Sequence, residues 1–354
     1  MKTRKPNSEH YANVVLKNAK FWNGKSFELR DEVRLTGSTS NEDSLEYDCN
    51  GALVLPALFA LGVDFMEPLR DDVYTYVDGV DALRRGGFYG ALYESAANPI
   101  DDVDKLTAAE NRRPCDLNEG PGGTAYNIRF LGAYSKGFGT DSLAETIAAY
   151  TVLETARFLQ VPVHFKQVTC GETLDLIRNA RKQGMDVTCD VGLYHLLLDD
   201  SCLETLDSAY HILPPIRSAG DREALWKGIE DGTVNAISMN HTPVLRQDKV
   251  VNFEDSVPGA LSLEIALPAI WKKLSERVGD AHAIELLSTA PARLANAVLG
   301  ENHAAAVVVL AANKPHVVVE SDFAGHVCNS PLLGKELPSS ILATYINGVW
   351  TKLN

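Results

Sequence analysis

Apolar residues come in short alternating runs at both ends of the chain and at helical spacing between them. From residue 13 to residue 56 the runs Val14–Leu16 and Ala52–Leu55 are split by polar turns such as Asn23-Gly24-Lys25, a strand pattern. The stretch Ala305–Leu353 reads alike, with Val307–Leu310, Val317–Val319 and Ile341–Ile346 ahead of an Asn347-Gly348 turn. Two strand-rich ends around a mixed middle predict that the ends pair into one small β domain. Its expected extent is residues 1–57 with 304–354, around a larger unit of residues 58–303.

The middle alternates strand and helix signals, as a parallel sheet with crossovers requires. Val73, Tyr76, Val77, Val80 and Leu83 share one helical face, Gly86-Gly87 stops that helix, and Phe88–Leu92 follows as a strand. A second helix is predicted from Ser142, where Glu145 three residues on completes a capping-box pattern, to about Leu159, before the strand Val161–Val168. Helix Thr173–Gln183 ends at Gly184 ahead of strand Val187–Val191, and helix Asp221–Glu230 ends at Gly232 ahead of strand Val234–Met239. This order favours a (β/α) barrel, although periodicity alone does not separate a barrel from an open α/β sheet.

Composition narrows the function classes. With 354 residues, 45% of them hydrophobic, the chain buries a large core. A formal net charge of -14 with scattered basic residues argues against nucleic acid as a partner. No apolar run reaches the roughly 20 residues of a membrane span, and Met1–His10 is polar and charged, unlike a signal peptide. A cytoplasmic protein that does not engage membranes is therefore expected. The six cysteines are widely spaced with no CxxC pair, which argues against a disulfide framework or a zinc ribbon.

Ordered segments then bring in a family. Val54 to Pro68, VLPALFALGVDFMEP, resembles the opening strand of the dihydroorotases of the amidohydrolase superfamily, VLPGLIDLHVHxREP. Arg84 to Leu92 with Asn98-Pro99-Ile100 resembles AAxGGFTTVxxMPNTNPV, and Val163 to Thr169 (VHFKQVT) resembles LHxxHVS. DVTCDVGLYHLLLD at 186–199 is similar to VTxEVTPHHLLL, Pro214-Pro215-Ile216-Arg217 to PPLR, and AISMNHTPV at 236–244 to IATDHAPH. Leu287 to Arg293 and Ser330 to Leu337 resemble LSTNPARI and TPFxGxEL. The resemblance covers most of the chain outside residues 101–160. It implies a (β/α)8 barrel with a small β domain made from both ends, and hydrolysis of the cyclic amide of dihydroorotate by zinc-activated water.

The residues that the resemblance assigns to this chemistry are altered. The two histidines of HxH fall on Gly62, which has no ligand atom, and Asp64, which offers one oxygen donor. The metal histidine of HxxHVS falls on Gln167, and the aspartate of TDHAPH, both ligand and proton shuttle, falls on Asn240, whose amide takes up no proton near neutral pH. On the substrate side, the carboxylate-clamping arginine falls on Met66, the asparagine of MPNT on Ala96 and the last histidine of DHAPH on Val244. Pro56, Pro68, Pro99 and Pro243 hold the register on either side.

Residues 100–163, 64 in all, must also hold what the family builds as its third, fourth and fifth strands with their helices. One βαβ unit takes about 30 residues or more, so a barrel missing or distorting about two strands is expected. Residues 128–144 resemble the third strand with its GAxTKG turn, whereas matching Asn118-Glu119-Gly120-Pro121 to the loop after the fifth strand deletes a different pair.

The resemblance thus implies a dihydroorotase-like pseudoenzyme with no catalytic residues and no bound cofactor. Inactive homologues in some bacteria assemble with aspartate carbamoyltransferase, which makes that enzyme the first partner to test; self-association as a homo-oligomer is also expected. The rival reading is a cyclic-amide hydrolase with a remodelled site, in which Asp64, His164, His195 and His241 are the remaining candidates for a metal. Other motifs carry less. GPGGTA at 120–125 follows acidic residues rather than an apolar strand and reads as a loop, Cys170 and Cys189 have no base at a telling spacing, and the Asp71-Asp72 and Asp101-Asp102 pairs read as solvated charges.

Overall fold

In Asn13–Trp22 buried and exposed positions alternate over much of the strand, so its side chains divide between a core face and solvent. This is β2 of a computed structural model that describes residues 7–11, 13–36, 44–66, 70–93, 142–295 and 306–353. With β1 (Asn7–His10), β3 (Phe27–Thr36), β4 (Ser44–Asp48) and β5 (Leu53–Pro56) it supplies the N-terminal strands of an eight-stranded sheet. β6 (Leu58–Val63), β7 (Phe88–Tyr93), β8 (Val163–Phe165), β9 (Val187–Gly192) and β10 (Ala236–Ser238) follow in the middle of the chain. The C-terminal strands are β11 (Val307–Ala311), β12 (His316–Val317), β13 (Glu336–Leu337), β14 (Ser340–Ile346) and β15 (Val349–Lys352).

Strands from the two chain ends lie in one sheet, ordered β1-β15-β14-β11-β5-β2-β3, with β4 also on β2. β11 is the seam: it runs antiparallel to β14 on one side and to β5 on the other. Its Val307 and Val309 meet Val14, Leu16, Val54 and Tyr345 in one buried cluster. The β14–β15 hairpin turns at Asn347 (φ 52°) and Gly348 (φ 77°), the pair of left-handed residues that a type I′ turn needs.

The five middle strands form a second, parallel system. β6 pairs with β7, and β10-β9-β8 lie in that order. β6 also meets the end of β10: the Met239 N–H donates to Leu61 O at 2.8 Å, His241 N–H to Gly62 O at 2.9 Å and Asp64 N–H to His241 O at 2.9 Å. The run β7-β6-β10-β9-β8 therefore joins the first parallel strand to the last, the contact by which a barrel closes. Helices α1 (Tyr76–Gly86), α2 (Ser142–Leu159), α3 (Gly171–Lys182), α4 (Leu193–Leu197), α5 (Ala219–Glu230) and α6 (Leu263–Ile284) accompany them. Their core centres on Trp226, Tyr194, Leu174 and Ile177, all fully buried. No helix among the described residues is long and apolar enough to cross a membrane.

Local outcomes depart from the pattern in instructive places. α1 begins at a capping box of Thr75 with Asp78, and it buries Gly79, Ala82, Leu83 and Gly86 while Val77 faces solvent. The helix lies close because its contact face is small: a Cβ on Gly86 would stand 2.3 Å from Leu263 O, and one on Gly79 2.5 Å from the Phe65 ring. β8 is shorter than its apolar run because Gln167 turns left-handed (φ 52°) and its N–H goes to the Asp190 carboxylate at 2.9 Å. β10 starts late, since the Asn235 side chain accepts from Cys189 N–H at 2.9 Å. The expectation that about two barrel strands are missing or distorted falls largely on residues 94–141, which lie outside those described.

Candidate functional site at the barrel mouth

Gly62, Met66, Gln167 and Asn240, predicted to share one site, all have left-handed backbone, with φ of 66°, 62°, 52° and 51°. Such conformations are uncommon for non-glycine residues and cluster at functional sites. The end of β6 and the segments following β8 and β10 bring Gly62, Gln167 and Asn240 together. A Cβ on Gly62 would lie 2.8 Å from Gln167 Nε2 and 3.4 Å from Asn240 N, so the glutamine amide fills the place of a residue-62 side chain. Gln167 Nε2–H donates to Asn240 Oδ1 at 3.2 Å, and both residues are buried.

Behind Gln167 lies a fully engaged carboxylate. Asp190 Oδ1 accepts from Gln167 N–H, and Oδ2 accepts from His164 Nε2–H at 2.9 Å; His164 Nδ1 lies 2.9 Å from the Thr188 hydroxyl. Burial opposes ionisation of Asp190, yet the His164 ring, the Ser238 hydroxyl and the Gln167 N–H outweigh it and hold the carboxyl below its ordinary value.

A second carboxylate, Glu145, joins two elements. Glu145 accepts from Thr169 N–H at 3.0 Å, from the Thr169 hydroxyl and from Cys170 N–H at 3.3 Å, tying α2 to the loop after β8. Arg217 adds a 2.9 Å hydrogen bond from Nε to Thr169 Oγ1. The Ser142-to-Glu145 spacing predicts a local cap, but the Glu145 carboxylate is engaged by another element.

The remaining candidates scatter. His195 Nε2–H donates to Pro214 O at 2.9 Å, and His241 Nδ1 accepts from Ser262 N–H at 3.1 Å and Leu263 N–H at 3.3 Å. Burial lowers both imidazoles, His241 to about 3, so both are neutral at pH 7. Asn240 Nδ2, His195 Nδ1 and His241 Nε2 are buried without a hydrogen-bond partner among the described residues. Asp64 Oδ1 accepts from Met66 N–H at 2.8 Å. Val244 is buried and its N–H goes to Asn329 Oδ1 at 3.0 Å; Ala96 lies outside the described residues. Burial, for Cys170 with Glu145 beside it, pushes Cys170 and Cys189 up to about 12, which leaves neither as a thiolate nucleophile at neutral pH.

Zinc, which the resemblance implies, does not fit this donor set. Gly62 supplies no atom, Gln167 turns an N–H toward Asn240 and occupies the space before Gly62, and the Asn240 oxygen is engaged by it. His164 is committed to Asp190 and His241 to the start of α6. Among the described residues, no three His, Cys, Asp or Glu come together as a group able to hold a metal.

Known proteins provide an independent measure. No protein-family model matches the chain. It is 33% identical over 273 residues to a dihydroorotase-like protein of Pseudomonas aeruginosa, covering 75% of this chain and 60% of that one. It is 32% identical over 249 residues to a dihydroorotase-like protein of Pseudomonas putida (69% and 57% covered), and 32% over 189 residues to a dihydroorotase of Deinococcus radiodurans (52% and 45%). The chain spans about half the length of the curated relatives it matches. Among solved structures it is similar to the L-hydantoinase (dihydropyrimidinase) from Arthrobacter aurescens, with a TM-score of 0.69 at 16% identity over 96% of this chain and 95% of that one. The D-hydantoinase (dihydropyrimidinase) from Thermus sp. gives 0.71 at 14%, over 95% and 94%. At such identities the likeness is one of fold, the amidohydrolase (β/α) barrel. Together with the names of the sequence relatives it supports the amidohydrolase superfamily.

Proposed function

We propose that this chain is a dihydroorotase-like pseudoenzyme, metal-free and non-catalytic, with a structural or regulatory role linked to pyrimidine synthesis and aspartate carbamoyltransferase as its partner. In this reading residues 58–303 are a degenerate barrel, residues 1–57 and 304–354 are its β domain, and the protein works in the cytoplasm. The observation that carries it is the Gln167–Asn240 amide pair standing over Gly62, where the resemblance requires imidazoles and a carboxylate. Hydrolysis of a cyclic amide needs an activated water and a group that takes up a proton; an amide pair supplies neither.

The names of the relatives favour a second reading, a metal-dependent cyclic-amide hydrolase with a remodelled site. Elemental analysis of the purified protein, followed by a dihydroorotate hydrolysis assay with added zinc, separates the two. The pseudoenzyme reading expects substoichiometric metal and no turnover above buffer. Stoichiometric zinc with turnover overturns it. Co-purification with aspartate carbamoyltransferase, tested with both proteins in defined amounts, checks the partner.

A further inference from the structure

Residues 316–329 run from β12 to the loop after β10, and charged groups fasten them at two places. His316 Nε2–H donates to Asp322 Oδ2 at 2.7 Å, and Val319 N–H reaches the same oxygen at 2.8 Å. Arg85 of α1 donates from Nη1 to Ser321 O and Phe323 O, both at 3.3 Å, and to Asp322 O at 3.5 Å, while its Nη2 goes to Asp81 at 2.6 Å. Glu264 of α6 accepts from the next N–H, that of Ala324, at 2.8 Å. The Phe323–Ala324 peptide unit is thus wedged between a guanidinium on its oxygen and a carboxyl on its nitrogen. Arg85 Nε and Glu264 Oε2 are buried without a hydrogen-bond partner among the described residues, so lifting the segment restores water to both. Further on, Asn329 takes Val244 N–H on Oδ1 at 3.0 Å and Leu261 N–H on its carbonyl at 2.8 Å, and donates from Nδ2 to Thr242 O at 3.2 Å.

We propose that residues 316–329 are a pH-sensitive strap: fastened in acid through His316 and Glu264, it holds the loop after β10 at the barrel mouth and slackens as pH rises through neutrality. The Asp322 hydrogen bond holds the His316 imidazole above its ordinary value, so the charged pair is complete below about 6.5 and is lost as pH rises through the folded value. Burial pushes Glu264 up to about 7, against the Ala324 N–H and Arg85 and with Asp81. Opening returns that carboxyl to water, so a strap that covers its neutral form weakens from about pH 4.5 to about pH 7. Both groups act in the same sense. Their charged neighbours do not reverse it. Tyr74 and Tyr194, which face Glu264, are pushed up by burial and stay neutral; Asp78 is engaged by Thr75; and Lys314 opposes His316 less than Asp322 supports it. The Arg246–Glu320 pair at 3.4 Å is exposed on both sides. The inference does not depend on whether the barrel mouth is catalytic.

Hydrogen exchange of the full chain, corrected at each pH for the intrinsic rate, reads the outcome. Between about pH 5 and about pH 8 the protection of residues 318–330 is expected to fall at least about tenfold, within the limit of about 300-fold that the step from 4.5 to about 7 sets for Glu264. Low urea should leave this exchange unchanged while it speeds that of the central strands, which marks a local opening. Glu264→Gln keeps an acceptor for Ala324 N–H but does not titrate, and His316→Gln removes the imidazole; each should flatten part of the profile and the two together all of it. Asn329→Ala tests the link to the mouth: Val244 and Leu261 N–H lose protection at both pH values while Phe323 and Ala324 keep their pH dependence. Constant protection in wild type, a fall that survives in the double variant, strap amides that exchange only with global unfolding, or a Val244 and Leu261 indifferent to Asn329→Ala overturns the proposal.

Discussion

Two buried carboxylates, Asp190 and Glu264, face opposite fates within one barrel. Asp190, on β9, has both oxygens engaged by His164, Gln167 and their neighbours, and it is held below the ordinary carboxylate range despite complete burial. Glu264, in the first turn of α6, has one oxygen on Ala324 N–H at 2.8 Å and the other without a partner among the described residues. Burial pushes it up to about 7. At the mouth itself, Asn240 Nδ2, His195 Nδ1 and His241 Nε2 have no hydrogen-bond partner among the described residues. Buried polar groups are ordinarily paired, so these three atoms stand out against the engaged oxygens of Asp190.

The largest effect is expected from breaking the satisfied side. Asp190→Ala leaves the Gln167 N–H buried without an acceptor and takes the partner from His164; a loss of about 3 kcal/mol in denaturant unfolding is expected. The pH profile carries the sign. A carboxyl held low in the folded state contributes stability above its unfolded value near 3.8, and that contribution disappears as pH falls through the lower folded value. Wild type should therefore lose stability in acid more steeply than Asp190→Ala. Equal acid slopes would show that the network does not hold the carboxylate ionised.

Glu264 supplies the opposite test. Its folded value near 7 lies above the ordinary 4.5, so the protonated form suits the fold, and stability falls as pH rises from about 4.5 to about 7. Glu264→Gln removes that slope and should stabilise the protein at pH 8 by up to about 3 kcal/mol. A melting temperature that tracks wild type across this range would show that Glu264 is ionised at no cost, and the contrast with Asp190 would fail.

The strands around Asp190 and the altered residues of the mouth differ in how far their sequence disclosed them. Around β8 and β9 the order of elements is legible: Gly184 ends α3 with φ 83°, Gly232 follows α5 with φ 76°, and an apolar run opens the next strand each time. Turn chemistry at Asn347-Gly348 likewise announces its hairpin. The altered residues Gly62, Gln167 and Asn240 are visible as letters and meet in space, since strand ends of one parallel barrel converge whatever they carry. Hidden from the letters is what replaced the lost ligands. That Gln167 turns left-handed, reaches across to Asn240 and fills the space over Gly62 depends on contacts between residues 73 to 178 positions apart. Glu145 misled for a similar reason: its local spacing fits a helix cap, but Thr169 and Cys170 offer it more donors from another element. Val77 fits the apolar period of α1, yet the glycines beside it allow a closer approach and turn it outward.

The smallest prediction concerns the amide pair itself. Gly62→Ala adds a Cβ 2.8 Å from Gln167 Nε2 on a backbone with φ 66°, so it should cost about 2 kcal/mol, part from the conformation and part from displacing the amide. Gln167→Ala loses the hydrogen bond to Asn240 and opens space, at about 1 kcal/mol. If the glutamine occupies the place of a residue-62 side chain, the double variant removes the clash but not the backbone cost. It should then be more stable than the sum of the singles by about 1 kcal/mol. Simple additivity in urea titrations would place the two side chains apart, and the neutral amide pair would no longer account for the space where ligands are missing.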